Sequence, residues 1–280
     1  MDLNTITRFR RPRSRSELVL APGEVLLAGG TWLFSEPQPQ ASGLVDLTAL
    51  EWPALEVTDR GLRVAATCTI AELVGLPPQP GWTAQPFFRA CADALLMSFK
   101  IWGLATVGGN ICRSFAAGAM VTLAATLDAE AEIWRPDGTD RRAPVAGLIT
   151  GNGTNSLAPG EVLRAIEIPH RALSGTTALR KIALARLGRS GAVLTGRLDA
   201  DGSALFVITA ATLRPVLLRY PELPDADTLR AGVAAASGYY TDPLGAADWR
   251  RQVSQVLMEE VRAELGQAGS VPAASGPVGR

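Results

Sequence analysis

Short hydrophobic blocks separated by turn residues run through the first 170 positions of the chain and predict a sheet-rich region. Apolar or β-branched runs of roughly four to eight residues, bounded by Gly, Pro or Asp, are typical of strands. Two pairs of these runs flank Asp59-Arg60-Gly61 and Pro136-Asp137-Gly138, and each pair predicts a hairpin. The predicted strands are 24–27, 43–46, 55–57, 62–66, 129–134, 141–145 and 162–168.

Helical patterns in the same region are short. Residues 16–20 predict one or two helical turns. Thr69, followed three positions later by Glu72, predicts a capping box at a helix start. Residues 87–96 and the small apolar residues of 117–126 predict two more helices. We also expect a helix to open directly after Gly30.

The pattern changes after Pro169. Three runs at 178–184, 192–198 and 204–213 predict strands, and the turn at 199–202 makes the last two antiparallel. Two helices follow at 225–236 and 244–265, the second with an apolar stripe on one face. Residues 266–280 are Gly, Ala, Ser and Pro with few others, which predicts a disordered tail. The chain is therefore α+β with a division near Pro169.

Composition excludes several classes of protein. The 280 residues are 47% hydrophobic, and 27 basic residues balance 27 acidic ones, so no broad basic field for nucleic acid exists. Five arginines between positions 8 and 15 predict a solvated or partner-facing edge, because no apolar signal segment follows them. No apolar run approaches the ~20 residues of a membrane span. We expect a cytoplasmic protein.

Cysteine and histidine are scarce. Cys68, Cys91 and Cys112 are scattered and include no C-x-x-C pair, and an iron–sulfur cluster normally needs four thiolates. The one histidine, His170, follows a predicted strand and fits a surface loop better than a catalytic group. We therefore expect neither a catalytic side chain nor a metal ligand here, and chemistry supplied by a cofactor.

Two glycine pairs carry the strongest functional signal: Leu27-Ala28-Gly29-Gly30-Thr31 and Thr106-Val107-Gly108-Gly109-Asn110. Such turns can point backbone N–H groups into one concavity, and two of them suit a long diphosphate ligand such as FAD. Candidate donors are the N–H groups of Gly30, Thr31, Trp32 and Leu33, the Thr31 hydroxyl and the Asn110 amide, with Cys112 and Ser114 following. The alternative is two structural turns without a ligand. Neither motif is the G-x-G-x-x-G fingerprint of a nicotinamide dehydrogenase.

Together these residues resemble a known family. The two glycine motifs, the run Ala105 to Cys112, Leu127-Asp128-Ala129 and Leu163-x-x-Ile166-Glu167-Ile168-Pro169 occur in the order found in the FAD-binding medium subunit of molybdenum hydroxylases. That family includes the flavoproteins of carbon monoxide, xanthine, and nicotine or quinoline dehydrogenases. The resemblance spans about residues 8–265. It implies a PCMH-type FAD-binding region at 1–169, with subdomains of about 1–54 and 55–169, then a C-terminal domain of three antiparallel strands and helices at 170–265.

The resemblance also implies residue roles. Residues 28–32 and 106–110 match the loops that wrap the FAD diphosphate and ribityl chain, Leu163 matches a position near the adenine, and Lys181 matches a lysine that approaches the isoalloxazine. The chain departs from the family at several positions. The usual Asp that binds the ribityl chain is Ala119, the usual Pro is Ala116, Trp32 replaces a frequent Asp, and Trp102-Gly103 replaces Arg-Asn. Loss of one charge-assisted hydrogen bond costs about 1.5–3 kcal/mol of ligand binding unless Ser114 compensates.

The implied function is electron transfer. A large molybdopterin-binding partner oxidises the substrate, a small [2Fe–2S] partner relays the electrons, and FAD on this chain passes them to an external acceptor. The family usually forms a dimer of heterotrimers. Two alternatives stay open: a flavin-poor scaffold subunit, for which the missing carboxylate at Ala119 argues, and a self-sufficient flavin enzyme, which would need its own acid or base.

Overall fold

The computed structural model of the protein describes residues 3–94, 99–185 and 188–269. The strands are β1 (Arg8–Arg10), β2 (Glu24–Leu27), β3 (Gly43–Asp46), β4 (Leu55–Thr58), β5 (Gly61–Ala65), β6 (Glu130–Trp134), β7 (Asp140–Pro144), β8 (Ile149–Gly151), β9 (Thr154–Asn155), β10 (Val162–Pro169), β11 (Thr176–Ala183), β12 (Ser190–Leu198), β13 (Ala204–Thr209) and β14 (Val216–Tyr220). The helices are α1 (Ile70–Val74), α2 (Pro86–Ala94), α3 (Phe99–Trp102), α4 (Val107–Arg113), α5 (Ala119–Thr126), α6 (Val145–Leu148), α7 (His170–Leu173), α8 (Ala226–Ala235) and α9 (Ala247–Gly269). Two 3-10 segments lie at Arg15–Leu18 and Leu47–Leu50.

A small parallel sheet of order β1-β3-β2 begins the chain. Its middle strand, β3, is buried along its whole length, because apolar side chains cover both faces of a central parallel strand. Val45 packs with Leu18, Leu47 and Val162 in a separate small core. Strand β2 leads directly into the first glycine motif, so this sheet fixes where that motif lies.

The second sheet has five strands, in the order β4-β5-β10-β6-β7, and all its pairings are antiparallel. Both hairpins predicted from turn residues are present, and the seven strands predicted before Pro169 are found within one residue of their bounds. One face carries the apolar residues Leu62, Val64 and Ile166, which belong to the main core. The other face carries ion pairs such as Arg63 with Glu132 and Arg142 with Glu167.

The third sheet is fully antiparallel, in the order β11-β12-β13-β14, and α8 and α9 pack on it. The α+β class is as predicted, but this sheet has four strands where three were expected. The predicted run 204–213 ends early, because Ala210 takes a left-handed φ of 61° and donates its N–H to the carbonyl of Ala116. Strand β14 then begins directly after Pro215.

Two other boundaries differ from the prediction. Helix α9 begins at Ala247 rather than 244, and it continues to Gly269, four residues into the predicted tail. Helix α2 ends at Ala94 among the described residues. The rest of the predicted tail, 270–280, and the predicted helical residues 95 and 96 lie outside the described residues. No helix in the described ranges is both long and apolar enough to cross a membrane.

Helix α5 connects the two larger sheets. All eight of its residues are buried. Leu123 belongs to the main core, while Ala125 packs against Leu205 and Val207 of the third sheet. Buried hydroxyl pairs add polar contacts between helix and sheet: Thr122 with Thr209 at 2.8 Å and Thr126 with Thr195 at 2.6 Å. Satisfied buried hydrogen bonds of this kind fix one packing arrangement.

Asp128, just after α5, reinforces this junction. Its carboxylate accepts hydrogen bonds from Arg171 (2.7 Å), Arg197 (2.7 Å) and Arg219 (2.5 Å). Burial alone would raise the pKa of Asp128, but the three arginines hold it well below its ordinary value. The loop between α5 and β6 is therefore tied to strands β12 and β14.

Candidate functional site

A cleft of about 910 Å³ lies where three parts of the chain meet. One wall is the segment from β2 through Leu33, the second is the segment from Ala105 to Gly118, and the third is built from Arg189, Ser190 and residues 240–244. The volume is near the upper end of the ~300–1,000 Å³ typical of ligand pockets, which favours a long ligand. The first two walls contain the two glycine motifs.

The first motif forms a series of turns. Gly30 has a φ of +69°, which glycine adopts without strain, and the Phe34 N–H donates to its carbonyl. The expected helix after Gly30 is not present, because residues 31–36 form turns instead. As a result, the N–H groups of residues 30–33 and the Thr31 hydroxyl donate to no other described residue. These residues line the cleft and leave their donors available.

The second motif is the first turn of α4, not an open loop. Thr106 is its N-cap, and its side chain accepts from the Gly109 N–H at 3.0 Å. The N–H groups of Val107 and Gly108 donate to the carbonyls of Cys68 and Ala66. Every N–H in this turn is therefore already paired, since the Asn110 N–H donates to the Thr106 carbonyl. The expectation that this motif offers backbone donors to a diphosphate is wrong, and it forms a wall of the cleft instead.

The two motifs are packed against each other. A Cβ on Gly29 would lie 1.8 Å from the carbonyl oxygen of Leu104, just before α4. A Cβ on Gly108 would lie 2.4 Å from the Cβ of Ala66. These two glycines are therefore required by contacts within the protein. Gly109 differs, since its Cβ would meet only the Thr106 hydroxyl and the residue lines the cleft.

Asn110 connects the cleft to α5. Its Oδ1 accepts from the Met120 N–H at 2.9 Å, and this bond supplies the cap that Gly118 cannot provide. Its Nδ2 makes no hydrogen bond to another described residue and remains a donor on a residue that lines the cleft. The Asn110 amide was predicted to contact the ligand, and in this arrangement only its Nδ2 is available to do so.

The structure brings most of the predicted site residues together. Those that line the cleft are Ala28, Gly29, Gly30, Thr31, Trp32, Leu33, Thr106, Gly108, Gly109, Asn110 and Leu163. Val107 and Ser114 do not line it: Val107 is buried in the core, and the Ser114 hydroxyl donates to the Ile111 carbonyl at 2.9 Å. Lys181 also lies outside the cleft lining, and its Nζ donates to the Asp93 carbonyl at 3.2 Å.

Arg113 is a cleft residue that the sequence did not indicate. Its guanidinium carbon lies 4.4 Å from the ring centroids of both Trp32 and Phe115, which contact each other edge to face at 4.8 Å. Its Nε is buried without a hydrogen-bond partner. Burial lowers the pKa of Arg113, and the charge of Glu36 opposes that shift. No pattern in the sequence could show this cluster, because Trp32 is distant along the chain.

The third wall adds charge and an aromatic ring. Arg250 is fully buried, pairs with Asp242 and lies 4.1 Å from the ring of Tyr240. Arg250 thus balances the negative charge of Asp242. The remaining charges on the cleft lining, Arg113 and the exposed Arg189, are positive and give the cleft a positive field. Cys112 also lines the cleft, but burial raises the pKa of its thiol to about 12, so it stays protonated and unreactive.

A second cleft of about 790 Å³ lies beside the outer face of the five-stranded sheet. It is rich in charged groups, but they are largely paired with one another: Arg63 with Glu56 and Glu167, and Arg219 with Asp128. Its deepest cation, Arg164, is covered by the rings of Trp52 and Trp134. Arg164 forms no ion pair with a described carboxylate, and its Nη1 is buried without a hydrogen-bond partner, so the charged lining of this cleft is largely but not completely paired.

Comparison with known proteins agrees with the geometry. Residues 9–171 match a family model described as the FAD binding domain in molybdopterin dehydrogenase. The chain is 31% identical over 154 residues to the putative xanthine dehydrogenase FAD-binding subunit of Escherichia coli K12 (53% of this chain, 51% of the relative), and 30% identical over 154 residues to the xanthine dehydrogenase FAD-binding subunit of Escherichia coli O157:H7, with the same coverage. The chain spans about half the length of these curated relatives.

Two solved structures share the fold over nearly the whole chain. Quinoline 2-oxidoreductase from Pseudomonas putida 86 has a TM-score of 0.79 at 20% identity, covering 94% of this chain and 98% of that chain. Reconstituted CO dehydrogenase from Oligotropha carboxidovorans has a TM-score of 0.79 at 23% identity, covering 91% and 97%. At these identities the likeness establishes the architecture.

Proposed function

The chain belongs to the family of FAD-binding domains of molybdopterin dehydrogenases, as its motifs predict, and from this premise we propose that it is the electron-transfer subunit of a molybdenum hydroxylase complex. In this proposal, electrons arrive from [2Fe–2S] clusters on a small partner subunit. A large partner subunit holds molybdopterin and oxidises the substrate. The cleft of this chain would hold FAD, which would supply the redox carrier between these clusters and an external acceptor.

The unpaired donors of the first motif carry the proposal. Four backbone N–H groups, at residues 30–33, and the Thr31 hydroxyl lie together on one wall of a long cleft. Residues 30–33 are half-buried, so their donors are accessible to a ligand, and a diphosphate accepts several hydrogen bonds from such a group. Gly109, on the facing wall, leaves room where any other side chain would project. The residues present therefore fit FAD.

The other cleft residues divide the remaining tasks in this proposal. Asn110 donates from Nδ2 to a ribityl hydroxyl while its Oδ1 stays on the Met120 N–H. Leu163, 3% exposed, supplies an apolar contact for the adenine. The third wall adds Arg189 and Tyr240 to the lining of the cleft.

The partners follow from what this chain can hold. Its three cysteines are fewer than the four thiolates of one iron–sulfur cluster. Burial raises the pKa of Cys68 to about 12 and that of Cys91 well above its ordinary value, so these thiols are not poised to bind metal. We propose that the clusters and the molybdenum centre belong to partner subunits, and that the assembly is a dimer of heterotrimers.

An absorption spectrum of the purified protein tests the proposal. We expect a flavin spectrum with one FAD per chain, released intact by acid. When the chain is purified with its partners, substrate should reduce the flavin, and the isolated chain with substrate should stay oxidised. A colourless chain that takes up no FAD, even when made together with its partners, would contradict the proposal and favour the scaffold alternative.

A further inference from the structure

We propose that Arg113 is the cationic residue that binds the phosphate groups of the dinucleotide, and that Trp32 and Phe115 hold it in position. This inference rests on the proposed function and assigns the charge partner within the same cleft. Arg113 is the last residue of α4, and Ser114 then turns the chain with a φ of 56°. Its side chain contacts Trp32, directly after the first motif, and so spans from one glycine motif to the other.

Arg113 is not balanced by an ion pair among the described residues, and the charge of Glu36, which raises its pKa, acts from beyond ion-pair distance. Most other partly or fully buried arginines are paired, including Arg63 with Glu132, Arg141 with Glu161, Arg197 with Asp199 and Arg250 with Asp242; Arg164, in the second cleft, also lacks an ion pair among the described residues, and its Nη1 is buried without a partner. Arg113 forms no ion pair with a described carboxylate, and its Nε is buried without a partner. A half-buried, unpaired cation is costly, so a bound anion at this place would remove the cost.

The two aromatic rings leave the guanidinium able to bind an anion. The guanidinium carbon lies at cation–π distance, 4.4 Å, from both ring centroids. The two rings stand at 80° to each other, so at most one of them can stack parallel to the guanidinium plane. The N–H groups lie in the guanidinium plane and can still form two parallel hydrogen bonds to phosphate oxygens. The rings also restrict the rotamers of Arg113, which reduces the entropy lost on binding.

The neighbours of Arg113 favour phosphate as the ligand group. Trp32 directly follows the first motif and is one of residues 30–33, whose N–H groups are unpaired, so the cation and these donors are next to each other. The acidic residue that lines the cleft, Asp242, is paired with Arg250. Arg113 should therefore select ligands that carry a diphosphate, such as FAD and ADP, over riboflavin, which has no phosphate.

Binding measurements on flavin-stripped protein test this inference, with FAD, ADP and riboflavin as probes in titration calorimetry. Arg113→Met keeps the length of the side chain and removes its charge. We expect this substitution to weaken the binding of FAD and ADP about 10- to 100-fold and to leave the binding of riboflavin unchanged. Arg113→Lys keeps the charge and should recover part of the loss. The matched control is Arg89→Met, an arginine 4.8 Å from the ring of Trp102, paired with Asp93 and outside the cleft, which should change nothing.

Wild-type protein gives a readout that needs no variant. Raising the salt concentration should weaken the binding of FAD and ADP but not that of riboflavin, because salt screens the contact between Arg113 and the phosphate groups. Equal affinity of wild type and folded Arg113→Met for FAD would overturn the inference and leave the proposed function standing. Equal losses of affinity for FAD and for riboflavin in Arg113→Met would overturn the inference too, since they indicate a packing defect. Wild-type protein that binds neither FAD nor ADP would overturn both.

Discussion

The two glycine motifs share a pair of adjacent glycines and differ in their hydrogen bonds. In the first, the N–H groups of residues 30–33 have no partner among the described residues. In the second, the N–H groups of residues 107–110 all donate to protein acceptors. One wall of the cleft therefore supplies the donors, and the other supplies a fixed surface. A glycine pair before a turn or helix does not by itself identify a ligand site; the partners of its N–H groups do.

The difference has a structural origin. The second motif begins a helix, where Thr106 caps the first turn and the carbonyls of Ala66 and Cys68, just after β5, supply further acceptors. The first motif follows strand β2 and continues as turns, so nothing in the protein accepts its donors. Glycine has a different purpose at each place: Gly108 allows α4 to touch Ala66, and Gly30 allows a positive φ.

Gly108→Ala should have the largest effect. The new Cβ would lie 2.4 Å from the Cβ and 2.6 Å from the Cα of Ala66, so α4 must move. We expect the free energy of unfolding to fall by about 3 kcal/mol, the upper end of overpacking costs, which exceeds the ~1 kcal/mol of helix propensity that alanine gains. Urea unfolding measures this. Gly103→Ala, where a Cβ meets nothing within 4 Å, is the control. A Gly108→Ala protein as stable as wild type would contradict the claim that Gly108 is required by the close packing of α4 on Ala66.

Glu24→Gln tests the anchor of the first motif. Arg10 donates to Glu24 at 2.7 and 2.9 Å, and this contact lowers the pKa of Glu24 from 4.5 to about 2. A lowered pKa stabilises the folded state above pH 4.5, and this contribution is lost as the pH falls from 4.5 toward 2. We expect the free energy of unfolding of wild type to exceed that of Glu24→Gln by about 1.5–3 kcal/mol at pH 7. This difference should vanish near pH 2. A difference that does not change with pH would exclude the charge as its cause.

Thr106→Val should destabilise α4. The variant loses the side-chain acceptor of the Gly109 N–H, and loss of an N-cap costs about 1 kcal/mol. Thr106→Ser keeps the acceptor and should restore most of the stability. Thermal unfolding compares the three proteins. If Thr106→Val weakened FAD binding strongly and left the free energy of unfolding unchanged, the second motif would be a ligand-binding element after all.

Thr31→Val should give the smallest effect and the opposite pattern. The Thr31 hydroxyl donates to no described residue, so its removal should leave unfolding unchanged. FAD affinity should fall about 2- to 10-fold, the value of one neutral hydrogen bond. Thr31→Ser is the matched control and should bind as wild type does. Unchanged affinity in Thr31→Val would remove the hydroxyl from the set of donors.

Local patterns predicted much of the architecture. The capping box is present: Thr69 accepts from the Glu72 N–H, and Glu72 accepts from the Thr69 N–H at 2.7 Å. Hairpin turns and strand runs were also readable, because their signals lie within a few residues. The fourth strand of the C-terminal sheet was missed, because the chain breaks at Ala210 through a contact with Ala116.

The site was predictable only in part, for the same reason. The motifs indicated which residues line the cleft, but the use of each N–H depends on partners far along the chain, such as Ala66 for Gly108. Arg113 carries no motif, and its cluster forms only when Trp32 is brought beside it. Lys181, chosen by resemblance, donates to the Asp93 carbonyl outside the cleft lining. Long-range contacts decide these points, and periodicity does not encode them.

Amide hydrogen exchange, measured with and without FAD, tests the contrast between the motifs most directly. We predict that the amides of residues 30–33 exchange quickly in flavin-stripped protein and slowly once FAD is bound. The amides of residues 107–110 should exchange slowly in both states, because their partners are protein groups. Fast exchange at 107–110 that FAD suppresses, with no change at 30–33, would reverse the roles of the two motifs and contradict the account.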